Sequence, residues 1–291
     1  MVWHLLPATP VGIALNSAKQ RLDDIGCLTS HLDAQVILAY VLQVERTWLF
    51  AHHEYQLTSA QAMAYTQLIM RRMNHEPVAY LVGRKEFYGL DFVVDRRVLI
   101  PRPETELLVD AVLNQIDLHD QTALRIADVG TGSGAIALAI AANAASARLY
   151  AIDVSADALD VARTNVQRLD LRQQVTLLQG DLLTPLPEAV DLIVANLPYI
   201  SSPVYRTLDA DIREYEPQVA LEAGPQGLDA IARLLAQAPR YLNPNGVIYL
   251  EIGYDQGGTV FDLVKAHLPQ NHGVILRQDY SGRDRLVMIE M

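Results

Sequence analysis

The chain has 291 residues, 51% hydrophobic and 20% charged, a composition that fits a globular protein of one large or two ordinary domains and excludes a disordered or fibrous one. Its formal net charge of -11, from 23 Lys and Arg against 34 Asp and Glu, argues against broad attraction to a phosphate backbone and leaves room for a local basic patch. The single cysteine, Cys27, excludes an internal disulfide framework and a cysteine-based zinc site, and reads as an inert buried thiol in a reducing compartment.

From Met1 to Leu15 the chain is apolar in places but has no Lys or Arg, and Pro7 and Pro10 interrupt it, so it does not read as a signal peptide. The apolar run Ala135 to Ile152 contains Asn143, Ser146 and Arg148 and reads as helix, turn and strand rather than a bilayer span. A cytoplasmic protein without membrane contact is expected. Residues 11 to 80 show helical spacing, with capping-box patterns at Ser30/Asp33 before a helix over 34–44 and at Thr58/Gln61 before one over 62–73. They predict a small helical domain over 1–82.

A β-hairpin linker is predicted over 83–101, with strands at Glu86–Asp95 and Val98–Ile100 turning about Asp95-Arg96-Arg97. From Glu104 helix and strand patterns alternate: helix 104–116, strand 124–129, helix 134–144, strand 148–153, helix 156–169, strands 174–179 and 191–195. After a loop over 200–225 come helix 227–239, the turn Asn243-Pro244-Asn245-Gly246, strand 247–252, helix 258–267, and strands 273–279 and 284–290. This predicts an α/β domain over 102–291, a parallel sheet covered by helices on both faces and closed by an antiparallel pair around Ser281-Gly282-Arg283-Asp284. No repeat or low-complexity tract interrupts it.

The glycine cluster Gly130-Thr131-Gly132-Ser133-Gly134 lies between a predicted strand ending at Val129 and a predicted helix, where the chain turns sharply and a ligand can approach the backbone. That context predicts a nucleotide-like cofactor. The spacing also satisfies the looser G-x-G-x-x-A form through Ala135, which keeps a nicotinamide dinucleotide open. Asp153, ending the next strand, is placed to accept the hydroxyl hydrogens of a ribose, or alternatively to cap the helix that follows. Asp181 and Leu182, ending the third strand, are candidates for an adenine edge and face, against a surface acid and a core leucine.

Asn196-Leu197-Pro198-Tyr199 ends the apolar run Asp191 to Ala195, where ligands of open α/β sheets bind. An amide or adenine nitrogen is a poor nucleophile because its lone pair is delocalised, so positioning must carry much of its catalysis. If the Asn196 side-chain oxygen and the Pro198 carbonyl accept the two N–H bonds, they fix that nitrogen and stabilise charge developing on it, and Tyr199 can stack on the flat group. A strand-ending turn is the bland alternative. The tetrapeptide with the glycine cluster points to methyl transfer onto a planar nitrogen. The histidines, His52 and His53 included, form no metal spacing, and no metal is expected.

The combination resembles the class I S-adenosylmethionine-dependent methyltransferases, and more narrowly the protein N5-glutamine methyltransferases that modify peptide chain release factors. Gly83 to Gly89, Val98 to Glu106, Glu216-Pro217, Ala220-Leu221, Glu251-Ile252-Gly253 with Gln256-Gly257, and Gly282 to Arg285 carry the match, with Pro101 to Glu106 the most specific. The resemblance covers nearly the whole chain and implies a Rossmann-like fold with a small helical amino-terminal domain. It also implies S-adenosylmethionine as cofactor and release factors as partners, with no direct nucleic-acid contact. By similarity, Gly130 to Gly134, Asp153, Leu182 and Asn196 would contact the cofactor, Asn196 to Tyr199 would hold the substrate glutamine, and Phe87 and Arg102 to Thr105 would lie near the site. The family usually has Pro-Pro after the asparagine, whereas this chain has Leu197-Pro198. Asn-Leu-Pro-Tyr is also similar to ribosomal RNA adenine dimethyltransferases, so an adenine N6-methyltransferase stands as the alternative.

Overall fold

The chain divides into two compact units, Met1–Gly83 with Ala210–Tyr215, and Arg84–Asp209 with Glu216–Met291. A computed structural model describes residues 3–118 and 123–291; Met1 and Val2, the first residues of the apolar start, lie outside the described residues.

The first unit contains α1 (Val11–Asp23), α2 (Ser30–Leu42), α3 (Arg46–Ala51), α4 (Ser59–Met73) and α5 (Val78–Val82). α1 and α4 each turn one stripe inward, α2 is buried around most of its girth, and Leu22, Ile37, Leu38, Leu49, Tyr65 and Ile69 form a fully buried centre. The Tyr65 hydroxyl donates to the Ala34 carbonyl at 3.0 Å, which satisfies its buried polar end. The capping box at Thr58 and Gln61 is present in both directions, at 2.9 and 3.3 Å. The one expected at Ser30 and Asp33 is not: α2 begins at Ser30, whose hydroxyl donates to Asp23 at 2.5 Å. Asp33 instead accepts from Arg72 Nε at 2.7 Å and from the Cys27 thiol at 3.3 Å. Cys27 is therefore half-buried beside a guanidinium rather than sealed in a core.

The second unit opens with an antiparallel hairpin, β1 (Arg84–Phe87) and β2 (Leu90–Val93). It turns at Tyr88-Gly89, both at positive φ (53° and 74°), not at Asp95-Arg97 as the sequence suggested. Two successive left-handed residues give the backbone twist that a two-residue hairpin requires. Asp95 to Arg97 form a separate side-chain turn: Asp95 accepts from the Arg97 backbone N–H at 3.0 Å and from its Nε at 2.9 Å, and Val98 to Ile100 run on without strand structure.

A 3-10 turn at Pro103–Thr105 leads into α6 (Glu106–Leu118), followed by β3 (Arg125–Val129), α7 (Ala135–Asn143), β4 (Arg148–Asp153), α8 (Ala156–Arg168), β5 (Val175–Gln179) and β6 (Val190–Ala195). The predicted loop over 200–225 contains short turns of helix, α9 (Ser202–Tyr205) and α10 (Ala210–Arg213), the latter belonging to the first unit. Then come α11 (Asp229–Gln237), β7 (Leu242–Glu251), α12 (Gly257–His267), β8 (Gly273–Gln278) and β9 (Asp284–Glu290). β7 starts earlier than expected, because the Asn243–Gly246 segment is absorbed as a register shift between Val190 and Leu192 of its neighbour rather than as a free turn.

The seven-stranded sheet runs β5-β4-β3-β6-β7-β9-β8, with parallel pairing from β5 through β7 and β9 antiparallel to both its neighbours. α7 is apolar on every side and buried from Ala135 to Ala141, whereas α11 buries one stripe, Ile231, Leu234 and Leu235. Strand order reverses between β3 and β6, the crevice where open α/β sheets bind ligands. Among the described residues, no helix is long and apolar enough to cross a membrane, and no cluster of His, Cys, Asp and Glu is placed to hold a metal ion.

Candidate active site

Register assembles the site. Val129 pairs with Ile152 on one side and Ala195 on the other, and Ala195 pairs with Leu250. The next residues along these four parallel strands, Asp153, Gly130, Asn196 and Glu251, therefore come side by side at the carboxyl edge of the sheet. Asp153, Gly130 and Asn196 open onto a cavity enclosing about 870 Å³, part of it open to solvent, and Glu251 lies buried beside them.

The glycine loop is shaped by β4. Gly130 N–H and Thr131 N–H donate to the Ile152 carbonyl at 2.9 and 2.8 Å, and Gly132 N–H donates to Asp153 Oδ2 at 2.9 Å. Gly130 and Gly132 have φ of 77° and 55°, where a side chain would add strain. A Cβ on Gly132 would meet nothing within 4 Å and so would project into open space, as a cradle for a ligand requires. Asp153 Oδ1 accepts from Ser155 N–H at 2.9 Å, and the Val154 N–H also favours the carboxylate, so the backbone around the strand end holds this side chain at the cavity wall. Burial pushes the Asp153 carboxyl up, against the backbone N–H groups that favour its ionised form. With apolar walls from Leu99, Ile152, Leu182 and Val219, the cavity fits a nucleoside with paired ribose hydroxyls.

Behind the loop Asp128 is fully buried. Its Oδ2 accepts from the Thr131 hydroxyl at 2.6 Å and the Ala137 N–H at 3.1 Å, while Oδ1 has no partner among the described residues. Burial pushes this carboxyl up to about 7, with the Thr131 hydrogen bond opposing the shift.

A smaller hollow of about 390 Å³ adjoins the first and shares Leu99, Gly130, Gly132 and Asn196 with it. Phe87, Arg102, Thr105, Thr131 and Ser133 line its other sides. From Asn196 a chain of hydrogen bonds runs inward: Nδ2 donates to Thr105 Oγ1 at 3.0 Å, and Oγ1 donates to Glu251 Oε2 at 2.7 Å. The other oxygen of Glu251 accepts from the Tyr199 hydroxyl at 3.2 Å. Burial pushes the Glu251 carboxyl and the Tyr199 phenol above their ordinary values.

Of the residues selected from sequence, Gly130, Gly132, Asp153, Asp181, Leu182, Asn196, Leu197 and Pro198 share the main cavity, and Thr131 and Ser133 face the smaller one. Asp181 is half-exposed and ion-paired with Arg233, and Leu182 holds a positive φ of 52°. Gly134 lines neither space; a Cβ there would stand 3.0 Å from Leu138, so it serves the close start of α7. Tyr199 lines neither as well, facing a third hollow with Gly253 and Gln256. Its carbonyl accepts from Gln256 Nε2 at 2.9 Å.

Sequence reasoning missed the wall formed by Arg97 to Leu99, which it had assigned in part to a hairpin strand. It also gave no role to Glu216, whose buried carboxylate accepts from the Ile100 N–H at 3.1 Å and Arg102 Nη2 at 2.5 Å and so pins that wall. Asn165 was passed over too. Its buried amide joins Val93 to the Ser133 carbonyl, with Nδ2 donating to both carbonyls and Oδ1 accepting the Val93 N–H. A polar residue on the buried face of an amphipathic helix was the available signal.

The family model described as PrmC N-terminal domain matches residues 14–83, and that described as Methyltransferase small domain matches 103–208. A release factor glutamine methyltransferase of Moorella thermoacetica is 45% identical over 94% of this chain and 95% of its own length. The chain belongs to the release factor glutamine methyltransferase family. A second such methyltransferase, from Caulobacter vibrioides, is 38% identical over 94% of both chains. A solved methyltransferase from Pyrococcus furiosus shares the fold, with a TM-score of 0.51 at 19% identity over 71% of this chain and 90% of that one. Within this release factor glutamine methyltransferase family member, Leu197 is buried, at 4% exposure. Its Cδ2 lies 3.1 Å from where a Gly130 Cβ would be, so the leucine fills the space over the glycine loop.

Proposed function

We propose that the chain transfers a methyl group from S-adenosylmethionine to the side-chain amide nitrogen of a glutamine in peptide chain release factors, forming N5-methylglutamine. The observation that carries this reading is the position of Asn196, at the junction of the main cavity and the smaller hollow, directly beside Gly130. When bound, the cofactor supplies an electrophilic methyl group on a sulfonium centre. Gly130 to Ser133 give its backbone cradle, with Gly134 serving the start of α7 behind it, Asp153 accepts the ribose hydroxyls, and Asp181 and Leu182 meet the adenine edge and face. Asn196 Oδ1 and the Pro198 carbonyl accept the two amide N–H bonds of the glutamine, hold its nitrogen toward the methyl group, and stabilise positive charge as it develops. Leu197 keeps the loop closed over Gly130, whereas Tyr199 faces the neighbouring hollow and anchors to Glu251 through its hydroxyl rather than stacking on the amide. The net charge of -11 supports a protein rather than a nucleic-acid substrate, and a translation-factor substrate supports a cytoplasmic location.

Incubation with methyl-labelled S-adenosylmethionine and either a release factor or RNA tests the reading. Label on a release-factor glutamine is expected; label on RNA alone overturns it. Asn196→Ala should lower turnover by about a hundredfold or more while the thermal midpoint stays near that of the parent, since it removes an acceptor and little packing. Unimpaired turnover in that variant shows that the acceptor role is wrong.

A further inference from the structure

We propose that Glu251 is a positioning residue that acts through Thr105 to set which end of the Asn196 amide faces the substrate. The inference rests on the reading of Asn196 as the acceptor for the reacting nitrogen. The two ends of a carboxamide have nearly the same shape and opposite hydrogen-bonding character, so an asparagine that must accept needs something to hold it the right way round. Reversed, Asn196 would aim N–H donors at the N–H groups of its substrate.

The direction of the chain follows from the carboxylate outward. Both oxygens of Glu251 accept, each from a hydroxyl. Its Oε2 takes the single hydroxyl proton of Thr105 at 2.7 Å, so Thr105 meets Asn196 as an acceptor. The NH2 end of Asn196 therefore turns to Thr105, at 3.0 Å, and Oδ1 turns away from it. The second carboxylate oxygen accepts from Tyr199, so one side chain anchors both polar side groups of the tetrapeptide.

Glu251 is 2% exposed, and a carboxylate buried for structural reasons is ordinarily paired with a cation. Arg285 is near enough to favour its charge, yet its guanidinium donates elsewhere, to the Ile252 carbonyl at 3.3 Å and to Asp279 at 3.3 and 3.4 Å. Both hydrogen bonds described for the Glu251 oxygens come from hydroxyls that lead back to the proposed site.

The test compares polar and apolar replacements at both relay positions, with S-adenosylmethionine and a release factor as substrates. Thr105→Val and Glu251→Leu should each lower kcat by about a hundredfold with KM for S-adenosylmethionine within about threefold of the parent, the signature of a misoriented group in a formed site. Thr105→Ser should recover turnover to within about tenfold, and so should Glu251→Gln, whose oxygen can take the Thr105 proton while its NH2 donates to Tyr199. Because the two residues act in one chain, the losses of Thr105→Val and Glu251→Leu should not add in the double variant. Should Thr105→Val fail to fold, the Glu251 pair carries the same comparison.

Full turnover in folded Thr105→Val and Glu251→Leu, with Asn196→Ala inactive, overturns the relay and leaves the acceptor reading standing. Full turnover in Asn196→Ala overturns the acceptor reading itself. Loss confined to cofactor KM also overturns the relay, because it marks a binding role in place of an orienting one.

Discussion

Leu197 has to satisfy two demands at once. It belongs to the buried cluster formed by Val129, Ala195, Ile231, Leu250 and their neighbours, and its Cδ2 closes over Gly130. Replacing it by Ala removes buried methyl groups from a place where the sheet edge cannot collapse to fill the gap. Leu197→Ala should therefore cost about 3 kcal/mol in urea unfolding, and lower turnover as the spacing between Gly130 and Asn196 loosens. A loss below about 1 kcal/mol would show that the loop relaxes into the space. The neighbouring site residues differ in how far sequence reveals them. Gly130, Asp153 and Asn196 follow from one local rule, that strand ends in open α/β sheets carry ligand contacts, so each is visible from its own flanking residues. Glu251 also ends a strand, but its partners Thr105 and Tyr199 lie on other segments, and they meet only through the register that sets Ala195 against Leu250.

The elements show the same divide between local and distant causes. Thr58 and Gln61 make their capping box because both groups find their partners within a single turn. Thr58→Ala should cost about 1 kcal/mol of stability in denaturant unfolding, with Thr58→Ser close to the parent. Equal losses for Ala and Ser would locate the contribution in packing instead. Ser30 and Asp33 carry the same local pattern and do not cap, because a more distant partner wins: Arg72, on α4, binds Asp33. The hairpin was misread for a related reason. Asp95-Arg96-Arg97 is the more polar segment, but it is Tyr88-Gly89 that reaches positive φ at both residues, with Tyr88 N–H and hydroxyl tied to Glu106 and Asp110 of α6 at 2.9 and 2.6 Å. In contrast, the main strands and helices from 124 onward were legible, with the early start of β7 and the short helices α9 and α10 the departures. Their apolar periodicity is dictated by burial on both faces of the sheet, and no single distant contact can reassign it.

At the scale of the whole molecule, charge was legible as a total and its consequences were not, because they depend on which carboxylates the fold buries. Asp128, Asp153 and Glu251 are all pushed up by burial, whereas Asp95 is held down chiefly by Arg97, Asp23 by Lys19 and Asp279 by the Arg283 backbone N–H. The two groups act in opposite windows. A lowered carboxyl stabilises the fold above its ordinary range, and that contribution is lost in more acidic solution. A raised carboxyl holds a proton in the folded state that the unfolded chain has already released, so stability falls as pH rises through its window. For Asp128 the window runs from 3.8, the ordinary value, to about 7. Repulsion within a chain of net charge -11 acts in the same direction as pH rises. The cofactor-free protein should accordingly melt at a lower temperature at pH 8 than at pH 5. Asp128→Asn should narrow that difference, since the amide keeps an acceptor for Thr131 and Ala137 and has no proton to lose in this range. The amide also places an N–H2 where Oδ1 lacks a partner among the described residues, a cost that is the same at both pH values and so leaves the comparison intact. Thermal unfolding of parent and variant at the two pH values measures the effect; an undiminished difference in the variant would remove Asp128 from the account.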